Sequence, residues 1–127
     1  MSRLRPFLPN LTKPALIGMV HVQALPGTPH NRHPLEDICR QAVADARVLS
    51  QAGFDALLIE NMHDVPYLLG EVGPEVIASM TAVGCAVRRA ADLPLGVQVL
   101  AGANRQALAV AQACGASFIR VEGFVFA

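Results

Sequence analysis

A chain of 127 residues, 53% of them hydrophobic, is long enough to bury one core and form one domain. Ten basic and ten acidic residues cancel, and without a basic stripe a nucleic-acid partner is not expected. No apolar run is long enough to span a bilayer, so no integral membrane segment is expected either.

The start, Met1 to Pro9, carries Arg3 and Arg5, but its prolines interrupt any signal-peptide core. Residues 1–14 read as an N-terminal extension of a cytoplasmic protein. Because that segment is basic and free of acids, an organelle-targeting reading stays open beside it. Cys39, Cys85 and Cys114 fall in helix-like stretches without metal spacing, as expected of reduced thiols acting as small buried hydrophobes.

The first strand is expected over Ala15–Val22, introduced by Lys13-Pro14. A proline-stiffened loop through His30 and His33 follows, where solvent exposure is the default for both imidazoles. Pro34 suits the first position of a helix, with Glu36 and Asp37 against its positive end. Ile38, Ala42, Ala46 and Leu49 recur at helical spacing, and Gly53 fits a left-handed cap. The second strand opens the stretch Asp55–Asp64, which is apolar at first and then turns polar through Glu60-Asn61-Met62-His63-Asp64. Pro74-Glu75 starts a second helix striped by Val76, Met80, Val83 and Val87, which must stop before Leu93-Pro94. Leu95–Leu100 is the third strand, Asn104 an N-cap, and Gly115 the end of a third helix. Ser117–Glu122 is the fourth strand.

Strand and helix alternate throughout, which predicts an α/β fold with a parallel sheet of four strands and three helices. A weak repeat, Gly53–Glu60 against Gly115–Glu122, supports it: each copy runs from a capping glycine into a strand ending on Glu. Such units make half of a (β/α)8 TIM-type barrel, or a small open sheet. In either case function gathers outside the carboxyl ends of the strands.

Side-chain alternation selects the groups that share a face there. With Glu60 inward, so are His21, Gln98, Arg120 and Glu122, and the loop after the second strand adds Asn61, His63 and Asp64. A glutamate at the end of a buried strand suits general acid/base work, because desolvation opposes its ionisation. Glu60, His21 and Glu122 are therefore the candidate catalytic residues, and Asn61, Asp64, Gln98 and Arg120 the candidate substrate contacts. The plain alternative for Glu122 is an ion pair with Arg120, since buried charges need partners. His21, Glu60, His63 and Asp64 are also suitable ligand types for a divalent metal, although no spacing among them is diagnostic. No Gly-rich phosphate loop, Walker pattern or Gly-x-Ser-x-Gly occurs.

Taken together, Gly18-Met19-Val20-His21, Leu25-Pro26-Gly27-Thr28-Pro29, Glu60-Asn61-Met62-His63-Asp64-Val65-Pro66, Gly96-Val97-Gln98-Val99-Leu100 and Phe118-Ile119-Arg120-Val121-Glu122-Gly123 resemble the BtpA family (BtpA/SgcQ). The resemblance implies a barrel of the ribulose-phosphate-binding type. It also brings in the family's association with photosystem I biogenesis. Two functions are then expected to compete. One is an enzyme, or enzyme-derived barrel, acting on a small polar, phosphorylated or unphosphorylated metabolite. The other is a non-catalytic assembly or stability factor. Gln98 and Ala101-Gly102-Ala103 depart from the Asn and the charged turn of many members.

Members of that family continue through four more βα units, so residues 15–127 are expected to be a truncated half barrel. Such a half would need a full barrel, a second half or a homo-oligomer to close it. The inward side chains Met19, Leu58 and Phe118 are expected to lie wet on the uncovered face.

Overall fold

The computed structural model describes residues 13–124. Most of the extension expected over residues 1–14, and the apolar end at Val125 and Phe126, lie outside the described residues. The elements run β1 (Ile17–His21), α1 (Leu35–Gln51), β2 (Ala56–Glu60), α2 (Pro74–Ala90), β3 (Leu95–Gln98), α3 (Asn104–Cys114) and β4 (Phe118–Ile119). The strands form one parallel sheet in the order β1-β2-β3-β4. That consecutive order sets aside a flavodoxin-like sheet, in which the order departs from the sequence.

Local chemistry accounts for the helix ends. At the end of α1, Gly53 has φ +90°, its N–H bonds the Ser50 carbonyl at 3.2 Å, and the Phe54 N–H bonds that of Leu49 at 3.3 Å. This is a Schellman closure. It turns Leu49 and Phe54 onto β1, where a Cβ on Gly18 would stand 3.0 Å from Leu49 Cδ1 and 3.2 Å from Phe54 Cδ1. Only a glycine leaves that much room for the helix end. Pro74 occupies the first turn of α2 as expected, with Glu75 there and Arg88 and Arg89 in the last turn, complementing the helix dipole.

Two helix starts differ from expectation. Pro34 sits one residue before α1, in the cap position, and Asn104 is already helical while Ala103 takes the cap position of α3 without a side-chain bond. The strands are also shorter than the apolar runs around them. β4 is the extreme case, with two residues where six were expected. Its ladder is extended on either side by the Ser117 N–H, which bonds the Leu95 carbonyl at 2.8 Å, and the Arg120 N–H, which bonds that of Val97 at 3.0 Å.

Period-2 alternation separates the two faces of the sheet. Val20, Leu57, Ile59, Leu95 and Val97 join the helical stripes of Ile38, Ala42, Val76, Met80, Val83, Val87, Ala107 and Val110 in one core. Among the described residues, the other face carries no helix. Its first row is Met19, Leu58, Gly96 and Phe118, and its second is His21, Glu60 and Gln98, continued by Arg120.

The expectation that this first row lies wet is only partly correct. Met19 and Phe118 are half-buried, but Leu58 is 2% exposed. The Phe118 ring folds over Gly96, into the space a Cβ would fill, and the Arg120 Nη1 reaches the Met19 sulfur at 3.7 Å. The row closes over its own centre. Burying a leucine in this way is worth about 1.5–3 kcal/mol.

Candidate functional site

The second row brings three predicted site residues side by side at the carboxyl ends of their strands, and a fourth beside them. Register pairs His21 with Glu60 and Glu60 with Gln98. Glu60 and Gln98 are buried, at 4% and 3% exposure, whereas His21 and Arg120 are exposed. The Glu60 carboxylate has a cation-capable group on each side: His21 Nε2 at 3.6 Å from Oε2, and Arg120 Nη2 at 3.4 Å from Oε1. Arg120 Nε also donates to Gln98 Oε1 at 2.5 Å. A buried carboxylate without such neighbours would be costly. Gln98 anchors the guanidinium that serves it.

Glu122 stands apart from this row. It lies two residues past Arg120, beyond the end of the ladder and next to the positive-φ turn at Gly123, and it is exposed. The carboxylate that Arg120 pairs with is Glu60, in place of the alternative pair with Glu122.

Asn61 and Asp64 are buried too, at 1% and 6% exposure, but they serve the loops. Asn61 Oδ1 accepts the Leu100 N–H at 2.7 Å, and its Nδ2 donates to Asp64 Oδ2 at 3.1 Å and to the Leu100 carbonyl at 3.4 Å. Asp64 Oδ1 accepts the Leu25 N–H at 2.9 Å. The two side chains thus tie the connections after β1, β2 and β3 to one another. With Thr28 and Glu75 they also supply polar groups to a cavity of about 220 Å3, whose other walls include Pro66, Val72, Val76 and Leu100.

The four metal candidates are not brought together. His21 and Glu60 share the row, Asp64 is engaged by Leu25 and Asn61, and His63 lines a separate recess. Among the described residues, no three His, Cys, Asp or Glu side chains form a group able to hold a metal ion. Nor is any helix among them long and apolar enough to cross a membrane.

One residue at this end escaped the sequence reading. Tyr67 follows Val65-Pro66 in the connection after β2, and its hydroxyl donates to the Met62 carbonyl. Burial, followed by the nearby carboxylates of Glu60, Asp64 and Glu122, pushes its phenol above the ordinary value. Tyr67 is therefore a neutral hydroxyl beside the row at neutral pH. The available signal was its being the one tyrosine of the chain, placed in a loop at the functional end. The expectation of buried cysteines holds for Cys114 alone: Cys39 and Cys85 are half-buried against the core, desolvation raises the Cys39 and Cys114 thiols, and all three are free.

The family model described as the BtpA family matches residues 12–127. An uncharacterised mitochondrial protein of Caenorhabditis elegans is 43% identical over 122 residues, covering 92% of this chain and 44% of its own length. An uncharacterised protein of Archaeoglobus fulgidus is 42% identical over 111 residues, covering 87% of this chain and 44% of its own. The photosystem I biogenesis protein BtpA of Synechocystis is 33% identical over 107 residues, 84% of this chain and 37% of that protein. The chain thus spans less than half the length of these curated relatives. No solved structure matches it. With the family model covering all but the first residues, and with Glu60, His21, Gln98 and Arg120 aligned at the strand ends, the chain belongs to the BtpA family.

Proposed function

We propose that this chain supplies the first four βα strands of a (β/α)8 barrel enzyme acting on a small polar metabolite, with Glu60 as its general acid/base. The observation that carries this reading is the Glu60 carboxylate, buried at a strand end between an imidazole at 3.6 Å and a guanidinium at 3.4 Å. Glu60 takes a proton from the bound substrate or returns one to it, and His21 is the neighbour through which that proton exchanges with solvent. Arg120, held by Gln98, stabilises negative charge as it develops on the substrate. In such a barrel the substrate would reach the row from the carboxyl end of the strands, where His21 and Arg120 are exposed.

The test is a screen of an intact homologous barrel against phosphorylated sugars and nucleosides, with and without divalent metals. Turnover abolished by the substitution equivalent to Glu60→Gln is the expected result, and turnover that survives it overturns the assignment.

A second reading rests on a different observation. Met62, Val65, Leu68 and Leu69 are exposed apolar residues on the connection after β2, and Leu69 is 88% exposed. Apolar side chains gathered on one loop suit a protein-binding surface, as an assembly factor of the kind named for the Synechocystis relative requires. Partner capture by the intact protein that survives Glu60→Gln and fails on Leu69→Asp would favour it. A cytoplasmic location is the first proposal for either reading. The nematode relative's mitochondrial label and the basic start of this chain support the competing location, and cell fractionation decides between them.

A further inference from the structure

We propose that the recess formed by His30, Arg32, His33 and His63 binds the phosphate group of a small phosphorylated metabolite. This rests on the reading of Glu60 above for the remainder of that metabolite. The recess measures about 420 Å3, and its walls also include Gln23. Three of the chain's four histidines and one arginine meet there, and no carboxylate lines it. In a chain whose acids and bases cancel, this is a local excess of groups that donate to an oxyanion.

The recess is built rather than incidental. Asn31 Nδ2 donates to the Ala24 carbonyl at 2.9 Å and to the His33 carbonyl at 2.8 Å. The Asn31 N–H bonds the Thr28 carbonyl at 3.2 Å, and the Thr28 hydroxyl bonds that of Leu25 at 2.7 Å. These bonds fold the connection after β1 onto itself, with His30, Arg32 and His33 around its brace. Asp64 in turn fixes Leu25, which sets the neighbouring His63 against the same connection. Preorganisation of this kind lowers the cost of ordering the donors on binding.

The donor set selects an anion over a cation. Arg32 spends one N–H on the Asn31 carbonyl at 3.0 Å and has no carboxylate partner among the described residues. A guanidinium in the recess repels a metal ion, and its fork of donors suits phosphate. The position also fits. Gln23 follows His21 by two residues and His63 follows Glu60 by three, so the recess lies just outside the carboxyl ends of β1 and β2. A phosphate held there leaves the rest of the molecule to reach the Glu60 row. This phosphate handle uses side chains from the first two connections, which explains why no Gly-rich loop is needed in this half.

The experiment is a titration of the purified chain with inorganic phosphate, at constant ionic strength and about pH 6.5, where ordinary imidazoles are substantially protonated. Imidazole resonances are followed by long-range proton–nitrogen correlation spectra. His30, His33 and His63 should shift together on one saturable curve, and chloride at the same ionic strength should not reproduce it. Arg32→Gln, a change at an exposed side chain, should weaken the fitted affinity about tenfold or more, and His33→Gln should weaken it as well. A linear response, an equal response to chloride, or an unchanged affinity in Arg32→Gln overturns the proposal. Glu60→Gln should leave phosphate binding intact. Loss of phosphate binding in wild type therefore fails the recess alone, whereas turnover that survives Glu60→Gln fails the Glu60 assignment alone.

Discussion

Replacing Asn61 with alanine removes three hydrogen bonds at one buried point. The Leu100 N–H, which donates to Asn61 Oδ1 at 2.7 Å, is left without its acceptor. A buried unsatisfied donor of this kind costs about 1–3 kcal/mol. Asp64 loses its 3.1 Å bond from Nδ2 and keeps only the Leu25 N–H, and a hydrogen bond to a charged group is worth about 1.5–3 kcal/mol. The 3.4 Å contact to the Leu100 carbonyl is too long to add much. The expected loss is therefore about 3–5 kcal/mol, a large part of the 5–15 kcal/mol typical of a domain. Urea denaturation followed by far-UV circular dichroism measures it. Native-state hydrogen exchange locates it, with protection falling first at Leu100 and Leu25. Asn61→Asp is the informative companion: it keeps an acceptor for Leu100 but sets a second carboxylate against Asp64, and it should lose stability further as pH rises through the carboxylate range. A loss below about 1 kcal/mol in Asn61→Ala, with both amides still protected, would refute the view that Asn61 and Asp64 tie the three connections together.

Three further outcomes are expected. Gly84→Ala places a Cβ 2.8 Å from Cys114 Sγ and should cost about 1–3 kcal/mol in thermal or urea melts. Adding Cys114→Ala should recover much of that loss, and strict additivity would contradict the packing account. With one tyrosine and no tryptophan in the chain, ultraviolet titration reads Tyr67 alone, and its midpoint should exceed 10.0. The linkage has a fixed sign: because the folded phenol is raised, its contribution to stability is complete below the unfolded value and is lost as pH climbs through the folded one. Cys114, raised by burial from 9.0, should be alkylated more slowly than a free thiol at about pH 8, and rapid labelling of folded protein would count against its burial.

The helices and the faces of the sheet were legible because each rests on a periodicity. Ile38, Ala42 and Ala46 in α1, and Val76, Met80, Val83 and Val87 in α2, are buried as their spacing predicts. Strand parity likewise placed His21, Glu60 and Gln98 in one row. Parity failed where the strands stop. Asn61 and Asp64 follow Glu60 in sequence, but the chain has already turned, and their partners are backbone groups thirty-nine residues away that no local pattern reveals. Parity likewise has no hold on Glu122, since the β4 ladder ends before reaching it. Asn104 is a good capping residue by type, yet the turn after β3 starts the helix one residue earlier than its side chain could serve. Wet histidines at 30 and 33 were anticipated correctly as exposed; that they share a recess with His63 depends on the Asn31 brace, a tertiary fact.

The reach of Arg120 has a consequence for the order in which the protein assembles. From the end of β4 its guanidinium touches Gln98 on β3, Glu60 on β2 and Met19 on β1. During synthesis, β1, β2 and β3 leave the ribosome first and can pair while residue 120 is still absent. In that intermediate Glu60 has only His21 beside it, so the carboxylate must keep water and the inner face must stay open around it. Docking of β4 then does two things in one step: it delivers the second cation to Glu60 and draws Phe118 over Gly96. A chain ending before Arg120 would therefore hold a sheet with a hydrated, unfinished row around Glu60, and the arrival of β4 would complete that row.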